Sequence, residues 1–320
     1  MLGLPDQPAS ILISSEYFVT SNLRVLVTGA TGAQGGSVAR HLLSSGKYLV
    51  RCMTRHADSN VAMALRRAGA EVVRGDLDDA TSLRATLRDC DAVFGVTSYW
   101  EHGEREFNQG RNLIDAIAYS GVQHTILSTL PHTKLLSGGR MAVPHFDTKA
   151  RIEEYARELG LQATYLHVAF YYENFLNHFP PRRQPNGTYV FAFPQGSVPL
   201  AAVAVSDVGG LVATILAESF WYRDKVVGVV GDDLRPDEYA HIMAQLLGRK
   251  IEYRYIAPDA FAALPFPGAP DLASMFEFNR LYIPNRRTDL AKSRELFPEI
   301  RSFDRWLRAN TAAMERVLDG

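Results

Sequence analysis

Short apolar segments alternate with amphipathic stretches through the first half of the chain. Between these segments, apolar residues recur at helical spacing, as Val38, Leu42 and Leu43 do in SVARHLLSSG, which Gly46 ends. Strands that alternate with helices predict βαβ units around a parallel sheet. The expected fold class is therefore α/β, with a doubly wound parallel Rossmann sheet. The apolar segments that we interpret as buried strands are RVLVTG, YLVRCMTR, AEVVRGD, AVFGVT, TILSTL and TYLHVA.

The pattern changes after about residue 175, where Pro and Gly become frequent in NHFPPRRQPNGTYVFAFPQGSVP and FAALPFPGAPDL. Between these segments KVVGVVG predicts a strand near 225–231 that returns to the edge of the main sheet, and a helix from Pro236 to Leu247 follows it. We therefore expect an N-terminal extension over 1–22, a Rossmann domain over 23–170, and a smaller α+β C-terminal lobe over 171–320 that contacts substrate or partner.

Composition excludes several classes of protein. The chain has 320 residues, 22% of them charged, and a formal net charge of -1, so no global field attracts nucleic acid or an anionic membrane. It lacks an apolar run of the roughly 20 residues that a membrane span needs. Cys52 and Cys90 lie in apolar runs typical of a core, and the nine histidines lack the spacing of a zinc site, so no metal is expected. The N-terminus lacks the basic region of a signal peptide, which favours a cytoplasmic protein.

A glycine-rich turn, TGATGAQGG, joins the first strand to the first helix. Gly29, Gly32 and Gly35 follow the spacing G-x-x-G-x-x-G. Helix N-termini present unpaired amides and a partial positive charge, which suit phosphate. In this strand–turn–helix setting, the glycines predict a pyrophosphate-binding turn.

The end of the second strand indicates which dinucleotide is bound. NAD-binding folds usually place an acidic residue there, to hold the ribose diol. This chain instead reads VRCMTRH, with no acid before Asp58, and Arg55 can pair with a 2′-phosphate. The alternative is that Arg55 is only a solvated arginine at a strand end. The pattern favours NADP(H) over NAD(H).

Several motifs together resemble a known family. GATGAQGGSVARHLL, VRCMTR, GAEVVRGDLDD, VTSYWE, HFDTKARIEEY, YYENFLNHF and FPGAPDLASMF occur in this order between about residues 23 and 310. They resemble the NmrA-like branch of the atypical short-chain dehydrogenases/reductases, and most closely its NADPH-sensing members. The family more often has Asn where this chain has Ser98.

The resemblance implies a role for each matching residue. The turn would hold the pyrophosphate, Arg55 the 2′-phosphate and Lys149 the nicotinamide ribose. The remaining cofactor contacts that it implies are grouped from the pyrophosphate to the nicotinamide end: Gly29, Ala30, Thr31, Gly32, Ala33, Gln34 and Gly35 at the pyrophosphate; Asp76 and Leu77 beside the adenine; Thr97, Ser98 and Tyr99 along the cofactor path; and Tyr171, Tyr172, Glu173 and Asn174 over the nicotinamide.

The catalytic candidates are Lys149, His145 and Ser128. Short-chain reductases use Tyr-x-x-x-Lys, in which the lysine holds the ribose and lowers the tyrosine pKa. Here His145 stands four residues before Lys149, on the same helical face. His145 is either a proton donor or a bystander. Ser128 is either a polar residue near a substrate carbonyl or an ordinary strand-end hydroxyl.

Aromatic residues are numerous around the expected site, and they either line a cleft for a flat substrate or fill the seam between the lobes. These aromatic residues are Tyr99, Trp100, Phe170, Tyr171, Tyr172, Phe266 and Phe276.

The function that we favour is an NADPH-dependent reductase of a small carbonyl, imine or enone. The alternative is a non-catalytic NADPH/NADP⁺ sensor that regulates a partner protein. Either function allows a homodimer, and neither involves direct contact with nucleic acid or a membrane.

Overall fold

A computed structural model describes residues 23–319. The predicted extension over 1–22 lies outside these residues. The strands are β1 Leu23–Val27, β2 Tyr48–Thr54, β3 Glu71–Arg74, β4 Ala92–Gly95, β5 His124–Thr129, β6 Ala163–Val168, β7 Phe170–Tyr171, β8 Arg182–Arg183, β9 Tyr189–Phe193, β10 Leu200–Val203, β11 Val226–Val229, β12 Asp232–Leu234 and β13 Ile251–Tyr255.

Helices follow most strands of the first half and dominate the C-terminal part. They are α1 Ala33–Ser45, α2 Asn60–Arg67, α3 Ala80–Leu87, α4 Tyr99–His102, α5 Arg105–Ala118, α6 Thr133–Leu136, α7 Pro144–Glu158, α8 Asn174–Asn177, α9 Val208–Ala217, α10 Ser219–Tyr222, α11 Pro236–Leu247, α12 Pro258–Ala262, α13 Ala269–Tyr282, α14 Arg287–Leu296, α15 Phe303–Ala309 and α16 Thr311–Asp319.

The central sheet has seven strands in the order β11-β6-β5-β4-β1-β2-β3, and every pair in it is parallel. Its inner strands are largely apolar and buried because helices cover both faces. Helices α1, α9 and α14 pack on one face, and α3, α5 and α7 pack on the other. The chain order reverses between β1 and β4, as in a doubly wound sheet. The predicted fold class is confirmed.

The C-terminal lobe packs around an aromatic core. Two three-stranded sheets, β12-β10-β7 and β13-β9-β8, lie with α11, α13, α15 and α16 around this core. Helix α11 has the predicted bounds, because Pro236 occupies its first turn and the Glu238 side chain accepts a hydrogen bond from the Arg235 amide at 2.7 Å. Among residues 23–319, no helix combines the length and apolarity needed to cross a membrane.

Two tyrosines with different surroundings allow a test of packing. The Tyr165 hydroxyl is buried with no hydrogen-bond partner within the described chain, whereas the Tyr253 hydroxyl accepts from the Gly196 amide at 2.9 Å and donates to the Phe193 carbonyl at 2.6 Å. Burial raises the pKa of both phenols to about 12.

We expect Tyr165→Phe to leave the free energy of unfolding at neutral pH unchanged, or to raise it by up to about 1 kcal/mol, because it removes an unpartnered buried hydroxyl. Tyr253→Phe, the matched control, should lower it by about 1 kcal/mol because two hydrogen bonds are lost. Urea denaturation measures both. A loss of stability in Tyr165→Phe as large as in the control would contradict the assignment.

The raised pKa values also predict alkaline sensitivity. Above pH 10 the unfolded state loses phenolic protons that the folded state keeps up to about pH 12. Stability that is fully present below pH 10 is therefore lost as the pH rises through this window. Tyr165→Phe should lose less of it than wild type when unfolding is measured across the same pH range. Equal losses would show that the Tyr165 phenol titrates normally.

Candidate functional site

A cleft of about 1060 Å³ opens at the carboxyl ends of the parallel strands. Its walls come from the turns after β1 to β6 on one side, and from α13 with its preceding loop on the other. This is the crevice at which open α/β sheets bind ligands. The predicted site residues that line it are Gly29, Thr31, Gly32, Ala33, Gln34, Gly35, Arg55, Asp76, Leu77, Thr97, Ser98, Tyr99, Ser128, His145, Lys149, Tyr171 and Asn174.

The glycine turn brings the start of α1 to the cleft. Gly29 has φ +56°, in the left-handed region that favours glycine. A Cβ on Gly35 would lie 2.3 Å from the Gly29 carbonyl oxygen, so the helix packs directly on the turn. The first turn of α1 carries no acidic side chain that would repel an anion. The Ala30 side chain is fully buried in the core beneath the turn.

Gln34 links the turn to β7, the short strand that follows β6. Its Nε2 donates to the Tyr171 hydroxyl at 2.6 Å, and its Oε1 is buried with no partner in the part of the chain that the structure describes. Burial raises the pKa of Tyr171 to about 12, against the opposing effect of the Gln34 hydrogen bond. The phenol therefore stays protonated at neutral pH.

Arg55 lies at the end of β2 and pairs with an acid that sequence reasoning missed. Its Nη2 donates to Glu101 Oε2 at 2.8 Å, and both side chains are partly exposed. The His102 Nε2 lies 3.5 Å from the same oxygen. The arginine is accessible to a ligand in the cleft, but one of its donors is already engaged.

Lys149 lies on α7, in a polar cluster at the cleft wall, and its ammonium group reaches the segment after β4. Its Nζ donates to Glu106 Oε1 at 2.6 Å, to the Thr97 carbonyl at 3.0 Å and to Thr97 Oγ1 at 3.2 Å. Glu106 is fully buried, and Thr97 Oγ1 also donates to its Oε1 at 2.7 Å. The three protons of the ammonium group thus match three protein acceptors.

His145 lies one helical turn before Lys149 and is held by the C-terminal lobe. Its Nδ1 forms a short hydrogen bond to Asp271 Oδ1, and its backbone amide donates to Asp271 Oδ2 at 3.2 Å. The imidazole lies 4.9 Å from the Trp100 ring, measured between centroids. Because an ionised carboxylate only accepts, His145 Nδ1 is the donor, and Nε2 is the ring nitrogen left for other chemistry.

Two aromatic residues expected in the cleft belong to the core instead. Tyr172 is fully buried, with its ring 5.2 Å from Phe303 and 5.5 Å from Trp306. Phe276 is also fully buried and stacks on Phe193 at 4.6 Å. The expectation that Tyr172 closes over the nicotinamide is therefore corrected, because its side chain packs among the rings of the C-terminal lobe.

Glu173 also points away from the cleft. Its carboxylate accepts from the Val205 amide and from Trp306 Nε1, both at 3.1 Å, and burial raises its pKa. The expectation that Glu173 contacts the nicotinamide is therefore wrong, because its side chain also packs into the C-terminal lobe. Of the four residues that the resemblance placed there, only Tyr171 and Asn174 line the cleft.

Sequence reasoning missed Glu106 and Asp271. A signal for Glu106 existed, because it shares one face of α5 with Gly110, Leu113 and Ile117, all buried. A carboxylate on an apolar helical face requires a partner. Asp271 gave no such signal, since an aspartate in the first turn of a helix is already explained by the helix dipole.

The strand order, the glycine turn and the cleft define a dinucleotide-binding protein of the doubly wound α/β class. The chain belongs to the NmrA-like family, whose model matches residues 21–307. The resemblance found in the motifs is thereby confirmed.

Relatives and solved structures agree with this assignment. The NmrA-like family domain-containing oxidoreductase FrzB of a Cladobotryum species is 31% identical over 281 residues, covering 80% of this chain and 83% of the relative. The structure of NmrA, a negative transcriptional regulator, in complex with NADP has a TM-score of 0.76 at 22% identity, covering 93% and 98% of the two chains. Triphenylmethane reductase of Citrobacter sp., complexed with NADP(H), has a TM-score of 0.72 at 18% identity, covering 92% and 100%.

Gly32→Val should abolish dinucleotide binding and leave the fold intact. A Cβ on Gly32 would meet only the Gly29 carbonyl oxygen, at 3.3 Å, and otherwise projects into open space. The larger side chain would then occupy the place of the phosphate. Calorimetry with NADPH and circular dichroism measure the two effects, with Ala217→Val on the exposed end of α9 as the control. A folded Gly32→Val that binds NADPH like wild type would exclude the turn as the phosphate site.

Proposed function

We propose that this protein is an NADPH-dependent reductase of a small carbonyl, imine or enone substrate. The observation that carries the proposal is the contact of Asp271 with His145, which lines the cleft one helical turn from Lys149. A carboxylate that holds one ring nitrogen orients the imidazole and defines its tautomer, as in the hydrolase triads. A residue of the Rossmann domain and one of the C-terminal lobe thus combine into a proton-transferring group.

The cleft fits NADP(H) on observations of this chain. The start of α1 is free of acidic side chains, and Arg55 offers an accessible guanidinium. NmrA and triphenylmethane reductase, which share the fold, were solved with NADP and NADP(H). These points support the glycine turn for the pyrophosphate and Arg55 for the 2′-phosphate.

NADPH, when bound, supplies a hydride. Lys149 stands at the cleft wall, fixed by Glu106 and Thr97, and a contact with a ribose hydroxyl would replace one of its three present bonds. As an imidazolium, His145 carries a second proton on Nε2. It gives this proton to the substrate atom that becomes negative, and Asp271 keeps the ring in place on Nδ1.

The walls of the cleft favour a flat organic substrate. Tyr99, Trp100, Phe170 and Phe266 all line it, and Trp100 is 56% exposed. Aromatic faces bind planar unsaturated molecules by stacking. A conjugated carbonyl, imine or enone combines such a face with the acceptor that His145 requires.

A second candidate function is a non-catalytic sensor that distinguishes NADPH from NADP⁺ and regulates a partner protein. It is favoured by the fold shared with NmrA, a negative transcriptional regulator, and by a histidine at the position of the usual tyrosine. A sensor needs different interaction energies with the two redox forms. The His145–Asp271 pair has no evident role in such a protein, so the reductase is the better account.

His145→Phe should lower turnover by at least about a hundredfold, because an aromatic ring remains while the proton is lost, and it should lose the limb of the pH profile that belongs to imidazole. Asp271→Asn should lower kcat less and keep that limb, because its histidine remains. Lys149→Ala should also lose turnover, by at least about a hundredfold, together with cofactor affinity. NADPH consumption against a panel of aldehydes, ketones, imines and enones is the measurement.

The control is His241→Phe, which removes an exposed histidine on α11. If His145→Phe keeps full turnover while Lys149→Ala does not, the proton comes from water or substrate. If wild type turns over no member of the panel, the sensor becomes the better account. NADPH and NADP⁺ should then give different protease-cleavage patterns around residues 130–145 and 180–200.

A further inference from the structure

We propose that Glu101 is a specificity-determining residue that competes with the cofactor 2′-phosphate for Arg55. The inference rests on the proposed binding of NADP(H) in this cleft and on no assumption about catalysis. It concerns a carboxylate that lines the cofactor cleft although the second strand itself ends without an acid.

The contact is direct and solvent-exposed. Arg55 Nη2 lies 2.8 Å from Glu101 Oε2, and the two side chains are 45% and 58% exposed. Arg55 follows β2, whereas Glu101 belongs to α4, the single helical turn after β4. The carboxylate thus reaches from the opposite side of the β1 turn to the arginine expected to bind phosphate.

Competition follows from the chemistry of the guanidinium group. Arginine binds phosphate best through two parallel N–H donors. To give both to a 2′-phosphate, Arg55 must release or share the donor that Glu101 now holds. The carboxylate also repels the phosphate brought beside it. NADH carries a hydroxyl at this position, so its binding requires neither the loss of the Arg55–Glu101 contact nor the approach of two negative charges.

Glu101 therefore reduces the preference for NADPH over NADH instead of creating it. An acid at the end of a strand can also accept a hydrogen bond from the ribose 2′-hydroxyl, as in NAD-binding folds. If Glu101 had that role, its replacement by Gln would weaken NADH binding, whereas competition for Arg55 leaves NADH binding nearly unchanged. Removing the charge of Glu101 without changing its size separates the two.

The experiment is calorimetric titration of the full chain with NADPH and with NADH. It uses wild type, Glu101→Gln, Arg55→Ala and the double variant. We expect Glu101→Gln to tighten NADPH binding by about three- to tenfold, from the strength of an exposed ion pair and the lost repulsion, and to change NADH by less than about twofold. The gain should shrink at high salt.

The double variant tests whether the gain acts through Arg55. Arg55→Ala alone should weaken NADPH binding by about tenfold or more, with little effect on NADH. In that background Glu101→Gln should recover only the part of the gain due to repulsion. The control is Glu104→Gln, because Glu104 is 73% exposed and lies 3.9 Å from Arg151 instead of Arg55.

Each failure has its own pattern. If Arg55→Ala weakens the binding of NADPH but not of NADH, while Glu101→Gln changes nothing or weakens NADH binding, the role of Glu101 is wrong and that of Arg55 stands. If Arg55→Ala weakens both cofactors equally, neither residue reads the 2′-phosphate. If wild type binds neither cofactor, the proposed function fails together with this inference.

Discussion

The contact between Gly35 and the Gly29 carbonyl is the constraint on which the cleft depends. With no side chain between them, α1 lies against the turn after β1, and its first amides face the carboxyl edge of the sheet. Thr28 secures the same edge, because its Oγ1 donates to the Val96 carbonyl at 3.0 Å and accepts from the Val96 amide at 2.8 Å. The ends of β1 and β4 are thereby joined where the strand order reverses. A larger residue at Gly35 would lift the helix and open the turn, so the proposed phosphate binding and the core packing share one requirement.

The buried charged groups of the site are stabilised by ion pairs and hydrogen bonds. Glu106 is fully buried, and a carboxylate in that position is tolerated only because Lys149 and Thr97 surround one of its oxygens. Removing one partner of such a pair typically costs about 3–5 kcal/mol, since the other charge stays buried. The pair therefore fixes α5 against α7 as well as the position of the ammonium group. A variant of Lys149 disturbs both, which is why cofactor affinity must be measured beside turnover.

The sequence predicted the sheet well because its inner strands are largely buried on both faces. Such strands are continuous apolar runs, and the returning strand β11 has the same character in KVVGVVG. Motif resemblance likewise placed residues 171–174 at the cleft, and Tyr171 and Asn174 line it. It did not give side-chain direction, and Tyr172 and Glu173 turn into the C-terminal lobe.

The contacts that sequence reasoning missed join distant parts of the chain. Asp271 reaches His145 across 126 positions, and Glu101 reaches Arg55 across 46. No periodicity records such pairs, because they follow from how the lobes and the short helix α4 pack. The same residues in isolation have ordinary explanations as a helix-start acid and a solvated glutamate.

In the proposed reductase, the His145–Asp271 pair also separates two tasks that a Tyr-x-x-x-Lys motif combines. In that motif the lysine both holds the ribose and tunes the tyrosine, so the two tasks depend on one helix. Here the Lys149 ammonium is held by Glu106 and Thr97 of the Rossmann domain, whereas the imidazole is oriented by α13 of the other lobe. A shift of α13 would separate Asp271 from His145 and leave the lysine in place. Cofactor binding and proton transfer can then be lost independently.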